Sequence, residues 1–406
     1  MRILPSSNIK GQRATWWLCL LVWCQPILVG YLITAINKAT GIPFVVFYNY
    51  LLPAIYIILA LASFPYISRK LRASDWLFYF GFLAVYFGSY LLVPGNREYL
   101  GTLMTVLPFC MLPMYMLGVS FELEPLKKHF YVISIISILV QFIFFRVIVL
   151  TGVSQHVSSE ADHHMHLSYQ VLPYILFVIW YAFEKPNVVN LFFSIFGSVL
   201  MLILGTRGPF ASILFFTLVY LVVFKLSHIG SFNKILILIG GVLLYLFFTT
   251  AVTALMDSIS SLGGSNRVLG WILGVDEGSQ LSNDARVDFA ELAFQALKES
   301  NYMGLGFAGD RLFMEGFFVH NFFLECLVSY GIFFGVLIPT IILIRLIKAV
   351  IRDKESNKCR FMLIMVGLGI IPLLVSGSYV DDPWFYLMLG YCTQTLRMPK
   401  VNYYTN

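Results

Sequence analysis

The residues of this chain able to move a proton or hold an anion are few. His320, Asn321 and Glu325 stand at the start of a long apolar run. A histidine at the mouth of a helix is a candidate general base, because its ordinary pKa lies near working pH. Asn321 and Glu325 are four apart and share a helix face, so Glu325 could bond Asn321 or orient a neighbour. The plainer reading of His320 is a structural or interface residue. Arg207 lies in Gly205-Thr206-Arg207-Gly208-Pro209. There the lack of side-chain bulk would let backbone and guanidinium approach a large anion; anchoring a helix hairpin at lipid headgroups is the alternative. Arg286 belongs to an amphipathic helix expected over Ser282–Ser300. At 100° per residue, Val287, Ala290, Ala293, Phe294 and Leu297 fall on one side, and Asp288, Glu291, Gln295 and Lys298 on the other. Arg286 falls inside the apolar arc, turned toward whatever that arc covers, unless it snorkels to a carboxylate or a lipid phosphate. The chemistry these residues suit is proton abstraction beside a bound anion, with Arg311, Asn321 and Glu325 as supporting groups.

Other polar clusters carry weaker signals. His156, Glu160, Asp162, His163, His164 and His166 include metal-ligand types but lack a regular spacing such as H-E-x-x-H, so a solvated loop is expected and no metal is assigned. Gly304-Leu305-Gly306-Phe307-Ala308-Gly309 matches G-x-G-x-x-G, yet it follows a helix instead of a strand, so a flexible turn is expected in place of a dinucleotide site. Asp381 and Asp382 form a polar turn before the last apolar run, and Arg146 lies within another run.

The elements that must position these groups are set by apolar runs. Of 406 residues, 59% are apolar and only 12% charged, against about one quarter charged in soluble domains. That excludes a soluble enzyme, a nucleic-acid-binding domain, a disordered tail and a disulfide scaffold. Runs of about 17–25 apolar residues are long enough for bilayer-spanning helices, whereas a barrel would alternate over about ten positions. The six cysteines form no CxxC pair. Twelve spans are expected, near 14–36, 43–66, 75–93, 100–118, 129–150, 167–183, 188–204, 209–226, 234–255, 321–346, 361–378 and 384–396, the first of them retained. With both termini cytoplasmic, 19 of the 27 Lys and Arg residues fall on the inner side and 7 on the outer, which fixes the expected orientation. Residues 1–255 then hold nine spans, 256–320 one long outer loop, and 321–406 three more.

Taken in order, the Gly205-Thr206-Arg207-Gly208 turn, the segment Arg286 to Gly309, and His320-Asn321-x-x-Leu324-Glu325 followed by Tyr330-Gly331 and Gly335 resemble the O-antigen polymerase and O-antigen ligase superfamily. The resemblance covers residues 205–335. It implies an all-α membrane glycosyltransferase of the C type, of about twelve transmembrane helices, with its amphipathic helix in a long periplasmic loop. The implied donor is an undecaprenyl-diphosphate-linked oligosaccharide, used at the outer face of the bacterial inner membrane without nucleotide sugar, cofactor or metal. Arg207 and Arg286 match the arginines that engage the diphosphate, and His320 the proposed catalytic histidine. The run around His320 is more similar to polymerases than to ligases, and a chain-length regulator is a candidate partner. A flippase or transporter is the rival from another class, although no paired halves are found in the sequence.

Overall fold

The computed structural model describes residues 6–25, 52–150, 161–204, 207–225, 279–314, 316–353, 355–375 and 377–397. Every regular element among them is helical. In chain order these are α1 (Ser6–Cys24), α2 (Leu52–Lys70), α3 (Ala73–Leu92), α4 (Arg97–Leu103), α5 (Leu112–Ser120), α6 (Lys127–Leu150), α7 (Ala161–Glu184), α8 (Val188–Leu204), α9 (Arg207–Tyr220), α10 (Ser279–Glu299), α11 (Asp310–Phe313), α12 (Phe322–Ile351), α13 (Asn357–Gly369) and α14 (Pro383–Arg397).

Two helices form the centre. From Val171 to Trp180 α7 is buried all round, and so is most of α13 from Phe361 onward. Such unbroken apolarity suits an interior helix instead of one with a single buried stripe. Large rings fill the space between. Trp23 stacks on Phe130 at 4.5 Å and meets Tyr174, Phe177 and Trp384 edge-on, and the Tyr174 hydroxyl donates to the Trp23 carbonyl at 2.6 Å. Helices α5 and α14 touch backbone to backbone. A Cβ at Gly118 would lie 2.3 Å from the Leu387 carbonyl oxygen, and one at Gly390 2.0 Å from that of Tyr115. Small residues at such crossings are how helices pack where lipid removes the hydrophobic drive.

Polar ties close the end of the bundle remote from His320. Glu122 accepts from Gln12, Trp16 and Tyr66. Glu184 accepts from Arg360 at 2.7 and 2.8 Å and from Tyr220. Arg397 forks onto Asp75 at 2.6 and 2.7 Å.

The expected twelve transmembrane helices are corrected by this fold. Among the described residues five helices are long and apolar enough to cross a bilayer: Leu52–Lys70, Ala73–Leu92, Arg207–Lys225, Phe322–Ile351 and Asn357–Leu374. A sixth arises if Pro94–Leu103 and Leu107–Ser120, bent by 44°, count as one broken span. The physical reason is that an apolar run in the sequence does not guarantee one unbroken helix of crossing length. The run near 100–118 breaks just before Pro108; α8 has 17 residues and α14 only 15, short of the roughly 20 a straight crossing needs. The expected span near 234–255 and parts of those near 14–36 and 43–66 lie outside the described residues.

One break matters most for function. At Gly331, φ 72° and ψ 178°, α12 turns so sharply that a Cβ on Gly335 would lie 2.6 Å from the Leu327 Cα. The segment Tyr302–Gly306 fills the break. Ile332 N–H donates to the Tyr302 carbonyl at 3.1 Å, and Leu305 and Gly306 donate to the carbonyls of Val328 and Ser329 at 2.8 and 3.0 Å. From the other side Asn96 donates to the Leu305 carbonyl at 2.9 Å, and Phe307 N–H donates to the Ser89 hydroxyl at 2.9 Å. The glycine turn expected to be flexible is thus bonded on both flanks, by backbone groups that the break in α12 leaves unmade and by the side chains of Asn96 and Ser89.

Candidate functional site

The site is assembled where that turn, α10 and the start of α12 meet. Asn321 caps α12, its side-chain oxygen accepting from Phe323 N–H at 3.0 Å and Leu324 N–H at 3.2 Å. It is therefore engaged with its own backbone, and Glu325 turns elsewhere. We expect Asn321→Ala to lower stability by about 1 kcal/mol, the usual loss for a helix cap, readable as a modest fall in melting temperature.

His320, just before the cap, has φ 56°, a left-handed conformation few non-glycine residues adopt. That geometry sets its half-buried ring 4.2 Å from the Phe318 ring centroid and 5.9 Å from that of Phe289 on α10.

Helix α10 lies across this corner. Its buried or half-buried residues include Phe289, Ala290, Leu292, Ala293, Ala296 and Leu297, and Ala293 and Ala296 pack with Met314, Val319 and Val328. The helix runs Ser279–Glu299, close to the expected Ser282–Ser300, but its inward stripe is rotated: Phe294, assigned to the apolar arc, is 52% exposed, while Ala296 is fully buried. The reason is that the small alanines permit close approach where a phenylalanine would hold the helix off. Arg286 lies in the same helix, three residues before Phe289, and its side chain is outside the described residues.

Arg207 is the first residue of α9 and is half-buried. The opening turns of α9 pack on the end of α13 and on the turn Pro372–Leu374. That turn leads within four residues to Ser378, which bonds Glu325. Arg207 thus opens a helix that packs on the turn leading to Ser378, which is bonded to Glu325.

Arg311, named as a supporting residue, is at the centre of a buried ionic cluster beneath His320. Its guanidinium lies 3.2 Å from Asp310 and 3.3 Å from Glu325, donates to the Ser378 hydroxyl at 2.9 Å, and sits 5.7 Å from the Phe318 ring centroid. Ser378 donates to Glu325 at 2.5 Å, and Tyr379 N–H donates to the other oxygen at 3.3 Å. Asp310 accepts from Val319 N–H at 3.3 Å, fixing the residue before His320. Burial pushes the Asp310 carboxyl up, with the Arg311 charge opposing it. Burial also works against the Arg311 charge, but Asp310 and Glu325 together outweigh it and keep the guanidinium protonated. Its charge is thus matched inside the protein, and its geometry is that of a brace.

Asp310, Ser378 and Tyr379 were not singled out from the sequence. A carboxylate in the first turn of so apolar a helix as α12 needs a buried partner, so Glu325 signals that a brace exists. Nothing in the sequence around Ser378 says where its other half lies. Asp382, expected at a polar turn, caps α14 by accepting from Trp384 and Phe385 N–H at 2.7 and 3.3 Å. Arg97, one of the arginines on the expected outer side, donates to the Tyr90 and Leu91 carbonyls at the end of α3. Among the described residues no group of three or more His, Cys, Asp or Glu could hold a metal; His156 and Glu160 lie outside them.

Beside the brace an apolar cleft of about 330 Å³ runs between α3 and α12, walled by Phe82, Phe322, Cys326, Tyr330, Tyr379 and Phe385. At its edge the Tyr379 hydroxyl donates to that of Tyr330 at 3.0 Å. Compared with family models, curated proteins and solved structures, the chain matches none.

Proposed function

We propose that the chain is a multi-pass membrane glycosyltransferase of the O-antigen polymerase type, which transfers an undecaprenyl-diphosphate-linked glycan onto a second lipid-linked repeat unit at the periplasmic face. The observation that carries the reading is the packing of α10, the helix that holds Arg286, on the half-buried His320 through Phe289 at 5.9 Å. Arg207, opening a helix that packs on the turn leading to Ser378, and an apolar cleft able to take a lipid chain add support. The excess of Lys and Arg in the segments at the opposite end supports a periplasmic His320.

In the proposed reaction the acceptor hydroxyl oxygen attacks the anomeric carbon. The bond from that carbon to the diphosphate oxygen breaks, and its electron pair leaves on the phosphate. His320 takes the hydroxyl proton. Arg207 and Arg286 hold the departing diphosphate, whose developing charge is better matched by fixed guanidinium groups in the transition state than before it. Direct displacement predicts inversion at the anomeric carbon. Arg311 acts through structure, bracing the loop that holds His320.

The test is expression of His320→Ala and Arg286→Gln in a strain deleted for this protein, reading surface lipopolysaccharide on a gel and the protein by immunoblot. Loss of the base should slow chain growth by about 10²–10⁴-fold, leaving core with a single repeat unit while normal amounts of protein reach the membrane. Full-length ladders from either variant would refute the assignment. Bare core with accumulating lipid-linked polymer in the deletion strain would instead identify a ligase.

A further inference from the structure

A second site lies at the opposite end of the bundle from His320. A cleft of about 440 Å³ opens between α3, α12 and α14, with Ser74, Asp75, Tyr115, Arg345, Thr393 and Arg397 in its walls. Its long sides are apolar and merge with the cleft described above, because Leu77, Phe78, Ile338, Ile342 and Leu389 line both. The rim is also apolar: Leu77 is 74% exposed and Ile341 47%. Both sit on helices long and apolar enough to cross a bilayer, so this rim faces hydrocarbon.

The polar end is formed by three elements. Asp75 is in the first turn of α3 and Arg397 is the last residue of α14. Arg345, six residues before the end of α12, donates to Thr393 at 3.0 Å. Only Asp75 lies in the end turn of a helix long enough to cross, which sets it near headgroup level, and Arg397 and Arg345 line the same cleft beside it. The charges there do not balance. Arg397 is satisfied by Asp75, but among the described residues Arg345 has no carboxylate partner. Arg72 and Lys348 stand nearby in sequence, both exposed. An apolar groove ending in an excess cation at headgroup depth has the form of a lipid site, and the excess sign selects an anionic headgroup.

We infer that this cleft binds an anionic phospholipid of the leaflet at the Arg345 end. Its phosphodiester lies against Arg345 and the Thr393 hydroxyl, and one acyl chain lies along the Leu77–Ile338–Leu389 groove. The lipid seals α3 against α12 and α14. Helices α12 and α14 touch directly, whereas α3 meets α14 through the Asp75–Arg397 pair and the Phe82 and Tyr386 rings, and the two clefts separate it from α12. The inference is independent of the glycan-transfer reading, since it concerns other residues at the other end of the molecule.

The experiment uses the full chain purified in detergent, with native mass spectrometry and thermal unfolding in the presence of phosphatidylglycerol, phosphatidylcholine or inorganic phosphate. Phosphatidylglycerol should be retained and raise the melting temperature more than phosphatidylcholine does. Arg345→Gln should weaken phosphatidylglycerol retention about fivefold, the size expected of one basic group at an anionic lipid surface. Leu77→Trp, which narrows the groove from its exposed rim without touching the charge, should weaken retention of that lipid as well. Lys128→Gln, on another exposed surface of the same end, should leave it unchanged. Equal effects of the two phospholipids, undiminished retention in Arg345→Gln, or full reproduction of the melting shift by inorganic phosphate would each overturn the inference.

Discussion

Arg311→Met is expected to destabilise the protein by about 3–5 kcal/mol, the loss typical when one partner of a buried ion pair is removed. Asp310 and Glu325 are fully or almost fully buried, and both lie within 3.3 Å of that one guanidinium. Methionine fills similar space, so most of the loss comes from two carboxyl groups left without a cation. The triple replacement Arg311→Met, Asp310→Asn, Glu325→Gln should recover much of the stability, which a pure packing defect would not allow. The pH dependence carries a definite sign. Burial raises the Asp310 carboxyl in the folded protein, so its contribution to stability is present below the ordinary carboxylate range and fades as pH climbs through the folded value. With Arg311 gone the opposing charge is lost, and Arg311→Met should be closer to the parent at pH 5 than at pH 8. Thermal unfolding in detergent at the two pH values reads this directly. Because Asp310 also holds Val319 N–H, the proposed glycan transfer should fall in the single variant even at temperatures where it remains folded.

Gly331→Ala is the second large expected effect. At φ 72° and ψ 178° the backbone occupies a region essentially confined to glycine, where a side chain costs about 1–3 kcal/mol. A Cβ would also lie 2.5 Å from the Tyr302 carbonyl oxygen and 2.6 Å from that of Met303. Relief requires moving the Tyr302–Gly306 segment away from the break in α12. That releases the bonds from Leu305, Gly306 and Ile332 together and loosens the support of the short α12 segment that Asn321 and His320 precede. We expect loss of polymer and a melting temperature several degrees below the parent. Gly88→Ala is the matched control: its Cβ would meet nothing within 4 Å in the helix α3, so it should be neutral or slightly stabilising. If both substitutions behave alike, the break in α12 is not the structural hinge of the site.

How far the chain was legible from its residues varies with the range of the forces involved. Helical content, the amphipathic helix around Arg286 and the start of α12 at Asn321 follow from local pattern, because capping and 3.6-residue periodicity act within one or two turns. The number of bilayer crossings does not follow from local pattern. The run near 100–118 is apolar throughout yet bends by 44° at its break, and the last helix stops after 15 residues, so continuity and length, which hydropathy does not record, decide the count. The phase of α10 was legible to within a partial rotation: Phe294 turned outward and Ala296 inward because close packing of small residues, absent from any hydropathy sum, chose the contact face.

What the amino-acid sequence by itself determined is the apolar surroundings of this protein and its helical class. What only the tertiary structure decided is the employment of the charges. Arg311 became a brace because Asp310 lies beside it and Glu325 and Ser378 arrive from 14 and 67 residues away, and Arg397 was matched by Asp75 across 322 residues. In a medium of low dielectric every charge must find a partner, and chain folding over those separations, not spacing in sequence, settles which partner it finds.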